Sequence, residues 1–140
     1  MNQDDSFSSL GYEFWCAAKL LSSTPSTTSS SDVVTYYLYG HAAELFLKAF
    51  LASKGVSAKA LKLNYGHDLQ KLVNEAEVRD LDKTLVLAEL KRFSKLYDDK
   101  LLEYRQARLM EFPLLGTLEG EIEALYAAVF DATVDFDGNN

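Results

Sequence analysis

The sequence predicts an all-α protein, an up-and-down antiparallel bundle of about five helices forming a single domain over residues 1–140. Three observations carry this prediction. Apolar residues recur at helical spacing in successive stretches of the chain. No run of useful length alternates apolar and polar residues as a half-buried strand does, and no internal repeat is visible. Breaks rich in Ser, Pro or Gly separate the periodic stretches and mark where the chain turns back. With 140 residues, 48% of them hydrophobic and 25% charged, one domain is long enough to bury about two-thirds of its unfolded surface.

The first helix is expected from about Ser8 to Ser22, with Leu10, Phe14, Ala17, Ala18 and Leu21 on one face and Trp15 beside them. Cys16 is the single cysteine, so it forms no intramolecular disulfide, and its apolar surroundings predict buried packing. Pro25 and the Ser and Thr around it neither continue a helix nor bury area, so residues 22–31 read as a flexible loop. The second helix starts at Ser31 or Asp32, whose short polar side chains cap free amides, and ends near Gly55. It spans roughly 34 Å and is apolar around most of its circumference, more than one antiparallel neighbour would cover.

A connector through Asn64 to Gly66 leads to a third helix over residues 67–77, where Leu69, Leu72, Val73 and Ala76 form a narrow apolar face. Asp82 is the expected cap of a long fourth helix with a seam of Val86, Leu90, Phe93, Tyr97, Leu101 and Tyr104. Pro113 and Gly116 interrupt the chain before a final helix from about Thr117 to Val134, which carries Ile122, Leu125, Val129 and Thr133 on one side. Residues 135–140 read as a frayed acidic tail.

Charge narrows the function classes. A net charge of −7 and a pI near 4.8 argue against a broad surface that tracks nucleic-acid phosphates, while leaving room for a local basic cleft. The run from Val33 to Leu51 approaches membrane-spanning length, but His41, Glu44 and Lys48 interrupt it, so a buried bundle helix and no membrane association are expected. The opening MNQDDSFSS has no basic segment leading into an apolar run, and with the lone cysteine this predicts a cytoplasmic protein.

Those same polar residues form the leading candidate site. Tyr37, His41, Glu44 and Lys48 fall within about 60° on a helix wheel, amid residues that require burial. Charges on such a helix are costly unless paired or facing a wet cleft. Glu44 precedes Lys48 by four residues, the favourable order for a helical ion pair, which alone would make the stripe internal wiring. In a cleft, Lys48 could instead meet a phosphate while Glu44 accepts from a hydroxyl. A second cluster is Asn64 to Leu69: Gly66 permits a tight turn, and His67 and Asp68 stand at a helix start, as caps or beside a bound anion. A third is Glu103 to Arg108, where Tyr104 and Arg108 share a face and Arg105 points about 100° away, suited to an anion or to surface ion pairs.

Catalytic signatures are missing. No zinc-ligand spacing, glycine-rich phosphate loop, dinucleotide fingerprint or nucleophile elbow appears, so no metal, cofactor or catalytic residue is assigned.

The run YYLYGHAAELFLKAFL, then NYGHDLQKLVNEAE, then Tyr104-Arg105 on a long helix resembles the HEPN family (higher eukaryotes and prokaryotes nucleotide-binding) over roughly residues 8–130. The most specific pieces are Ala43-Glu44 to Lys48-Ala49 and the turn Gly66-His67-Asp68-Leu69. The resemblance implies a helical bundle, commonly a homodimer, associated with nucleotides or RNA and found in toxin–antitoxin or RNA-processing contexts. Ribonuclease members of that family carry an Arg followed, after a few residues, by a His. Here Arg79, Arg92, Arg105 and Arg108 all follow His41 and His67, so that motif is absent.

The expected function is therefore a non-catalytic domain that binds a nucleotide or RNA end between the second, third and fourth helices. Its expected ligand-binding residues are Tyr37, His41, Glu44, Lys48, His67, Asp68, Tyr104 and Arg105. The alternatives are a protein–protein interaction or dimerisation module with a purely structural stripe, and a metal-independent ribonuclease using His41 or His67 as general base.

Overall fold

The computed structural model describes residues 3–23, 30–98 and 113–138. Among them the chain is all-α, with helices α1 (Gln3–Ser22), α2 (Ser30–Ser53), α3 (Ala58–Ala60), α4 (Leu69–Val78), α5 (Ala88–Asp98) and α6 (Leu115–Gly138), and no strand. The bundle expected from periodicity is present. The sixth helix is the short α3, which continues as a π-turn over Leu61–Tyr65 in what reads by sequence as a plain connector. Ser57 starts it by accepting a hydrogen bond from the Ala60 amide, and Leu61 anchors it in the core.

α2 is the central rod. It packs against α1, α4, α5 and α6, and every residue from Ala42 to Leu51 is buried. One cluster joins Phe46, Leu47, Phe50 and Leu51 of α2 to Leu69 and Leu72 of α4, Leu90 and Phe93 of α5, and Leu118, Ile122 and Leu125 of α6. The apolar circumference of α2 is thus covered within one chain from Ala42 to Leu51, whereas Val34 and Tyr37, nearer its start, are exposed.

Two glycines allow neighbouring helices to close onto this rod. A Cβ on Gly11 would lie 2.9 Å from the Phe46 ring, and one on Gly40 would lie 2.7 Å from Tyr97 and 2.9 Å from Phe93. Gly11 also explains a correction on α1. Its inward face runs through Phe7, Gly11, Phe14 and Ala18, so Leu10 is 44% exposed, Ala17 is exposed and Cys16 is a free, exposed thiol instead of a buried one. An apolar count favours Leu10 over Gly11; close approach of two backbones favours Gly11.

The caps are a mixture of local and long-range. α2 ends as expected, with Gly55 at φ +92° and the Val56 amide bonded to the Leu51 carbonyl. α4 starts at Leu69 because Asp68 accepts from the Lys71 amide, while Ser94 of α5 accepts from the Gln70 amide. α5 starts at Ala88, later than Asp82 predicts. Asp82 bonds the amide and hydroxyl of Thr84 and holds a tight turn, leaving Val86 exposed. The first amides of α5 are instead capped across the bundle by the buried Glu121 of α6, which accepts from Glu89 and Leu90 at 3.1 and 2.9 Å.

α6 begins ahead of Thr117, behind Pro113, whose carbonyl accepts from the buried Tyr36 hydroxyl at 2.7 Å. It runs to Gly138, beyond the expected Val134. Residues 24–29 of the expected loop, Leu101, Tyr104 and Arg105 of the expected fourth helix, and the side chain of Thr133 lie outside the described residues. No described helix is long and apolar enough to cross a membrane.

Candidate functional site

Glu44 is the hub of the polar stripe. Its side chain is 2% exposed, inside a helix whose neighbours are apolar. The ionised carboxylate has acceptors only, and the fold brings donors to both oxygens. Lys48, one turn along α2, donates to Oε2 at 2.9 Å. Tyr97 of α5 donates its hydroxyl to Oε1 at 2.7 Å, and His67, just before α4, donates from Nδ1 to the same oxygen at 2.9 Å.

These contacts set the charge state. Burial pushes the Glu44 carboxyl up, but the bond and charge of Lys48, joined by the bonds from His67 and Tyr97, outweigh it and hold the group below its ordinary 4.5. His41 enters at one remove, with Nδ1 2.9 Å from the Tyr97 hydroxyl. Tyr97 has one proton and gives it to Glu44, so Nδ1 of His41 must be the donor. Burial keeps the imidazole below its ordinary 6.5; Glu44 opposes this, and His67 and Lys48 add to it. Phe14 meets the ring edge-on at 4.4 Å and Tyr37 stacks parallel to it at 5.9 Å, so His41 is held between aromatic groups.

Local sequence explains why His67 arrives where it does. Gly66 has φ +53° and ψ −120°, a conformation that an L side chain strains to adopt, and it reverses the chain after the π-turn. Asp68 then caps α4 and also accepts from Ser94 at 3.3 Å, which fixes the segment to α5.

The fold therefore unites His41, Glu44, Lys48 and His67, four of the expected site residues. Tyr37, 40% exposed, flanks them through its ring. Asp68 is engaged as a helix cap. Tyr104 and Arg105 lie outside the described residues.

Sequence reasoning missed three participants. The spacing marks Tyr97 only as a seam residue, although its position beside Gly40 delivers the hydroxyl to Glu44. Phe7 and Lys62 belong to no sequence motif, yet they line an open pocket of about 460 Å³ with Lys48, Gly66, His67, Ala58 and Leu61. The basic residue three positions before Tyr65 in the connector was the available signal for Lys62.

Chemically the pocket offers two ammonium groups, an imidazole and an aromatic face, with Glu44 behind them. A separate pocket of about 300 Å³ lies between Glu77 and Lys91, which already pair with each other at 2.8 Å. Among the described residues no group of three or more His, Cys, Asp or Glu side chains is placed to hold a metal ion.

Comparison with family models, curated proteins and solved structures returned no match to this chain.

Proposed function

We propose that this chain is a non-catalytic, HEPN-like helical domain of the cytoplasm that binds a nucleotide or RNA end by its phosphate. The observation that carries the reading is the open pocket of about 460 Å³ lined by Lys48, Lys62, His67, Gly66 and Phe7. Its size falls in the range of small-molecule sites, about 300–1,000 Å³. Lys48 is held in place by Glu44, and Lys62 is exposed at the pocket wall. Ammonium groups meet phosphate as point charges, and Phe7 supplies a face for a base, a contact of about 1–3 kcal/mol. The net charge of −7 restricts the attraction to this spot and disfavours a long nucleic-acid track.

The HEPN resemblance adds a homodimer and a setting in a toxin–antitoxin or RNA-associated system. Because the Ala42–Leu51 stretch of α2 is buried by its own chain, the dimer rests on the resemblance. Sedimentation showing only monomer at micromolar concentration would remove it.

A panel of ATP, AMP and a short RNA tests the binding. Ligand occupancy raises the melting temperature of the native chain, and Lys62→Glu abolishes the rise. Lys62 suits this test better than Lys48, which also neutralises Glu44. No shift across the panel refutes the reading. It would favour the second one, a protein–protein interaction module with a structural stripe, which is supported by the internal donors to Glu44 from Lys48, Tyr97 and His67.

A further inference from the structure

His67 carries one proton question that the structure answers. Its Nδ1 lies 2.9 Å from Oε1 of Glu44, and a carboxylate paired with Lys48 offers that nitrogen no proton. The hydrogen is therefore on Nδ1, and in the neutral imidazole Nε2 is left as a lone pair. With Nδ1 turned inward and the side chain 62% exposed, Nε2 lies on the outer edge of a ring that lines the pocket. Lys48 and Lys62 only donate, and Phe7, Ala58 and Leu61 do neither. Nε2 is thus the pocket's side-chain acceptor.

The geometry points to His67 as the specificity-determining residue of the pocket: the lysines take a phosphate, Nε2 accepts from a hydroxyl, and the preferred ligand is a phosphate ester bearing a free hydroxyl. This rests on the anion-binding reading above and deepens it. Ribonucleotides and sugar phosphates share the required chemistry; a phosphate ester without a hydroxyl leaves Nε2 unmatched. Glu44 acts through His67 as a positioning residue, because it selects the tautomer.

Calorimetric titration at pH 8 with AMP, 2′,3′-dideoxy-AMP, ribose 5-phosphate and inorganic phosphate tests the rule. One neutral hydrogen bond predicts that AMP binds about three- to tenfold more tightly than its dideoxy analogue. His67→Asn keeps an amide donor near the Nδ1 position for Glu44 but lacks Nε2, so the preference falls to about one while phosphate binding persists. His67→Gln reaches further, places a carboxamide oxygen near the Nε2 position and restores part of it. Circular dichroism of each variant confirms that it is folded.

Ribose 5-phosphate equal to AMP upholds the rule and assigns the ligand to sugar phosphates; weaker binding upholds it for nucleotides. Equal binding of AMP and the dideoxy analogue, with both lost in Lys62→Glu, overturns the hydroxyl rule and leaves the anion pocket standing. A preference that survives in His67→Asn also overturns it. No binding of any probe overturns both readings.

Discussion

Replacing Lys48 with Met tests whether Glu44 is truly a buried charge. On an exposed helix face, the Glu44–Lys48 pair would contribute about 0.2–0.5 kcal/mol. The structure places Glu44 at 2% and Lys48 at 11% side-chain exposure, where removing one partner of a pair costs about 3–5 kcal/mol. Tyr97 and His67 still donate to the carboxylate in the variant, so the lower end, about 3 kcal/mol, is expected. The double variant Glu44→Gln, Lys48→Met keeps an acceptor for Tyr97 and His67 and removes both charges, recovering roughly 2 kcal/mol of that loss.

Urea unfolding followed by far-UV circular dichroism at pH 7 measures both, through the midpoint at constant m-value. The pH dependence supplies an independent sign. In the native chain Glu44 titrates below 4.5, so its contribution is present above that value and lost as pH falls through the folded one. Without Lys48 the largest influence opposing burial is gone, so the carboxyl moves up from its native position and Glu44's stabilising contribution shrinks, with its loss on acidification beginning at higher pH. A loss below about 1 kcal/mol in Lys48→Met, or a double variant as unstable as the single one, refutes the buried-charge account.

Two further outcomes follow from the same geometry. His41 is held below 6.5 when folded, so the unfolded chain takes the proton first; stability is present above 6.5 and is lost as pH falls through the folded value. The native chain therefore loses stability relative to His41→Gln as pH falls below about 6.5 and through the folded value, and parallel denaturation curves would contradict this. Gly40→Ala places a methyl carbon 2.7 Å from Tyr97 and should cost about 1–3 kcal/mol while displacing the Tyr97 hydroxyl from Glu44. An unchanged melting temperature in that variant would show that α5 yields without strain.

Where an element depends on local pattern, the sequence was a good guide. The apolar face Leu69, Leu72, Val73 and Ala76 of α4 is buried as its spacing predicts, and Gly55 ends α2. Asp82 shows the limit of such reading. An Asp before an apolar-periodic stretch signals a cap, but its bonds to Thr84 stop the helix there, and the cap of α5 comes from Glu121, far along the chain. Cys16 fails for a related reason. Composition placed it in an apolar stretch, whereas the close approach at Gly11 rotated that face of α1 away from α2.

The sequence by itself determined the all-α class, the boundaries of α2 to within about two residues, and the proximity of His41, Glu44 and Lys48, because helical geometry relates residues three and four apart. It also determined that Gly66 would turn the chain before His67. Only the tertiary structure decided that Tyr97 and His67 converge on one carboxylate, that Phe7 and Lys62 share a pocket with Lys48, and that α2 is covered within a single chain from Ala42 to Leu51. Periodicity fixes angles around one helix axis; which faces meet depends on packing and on the absence of a side chain at Gly11 and Gly40.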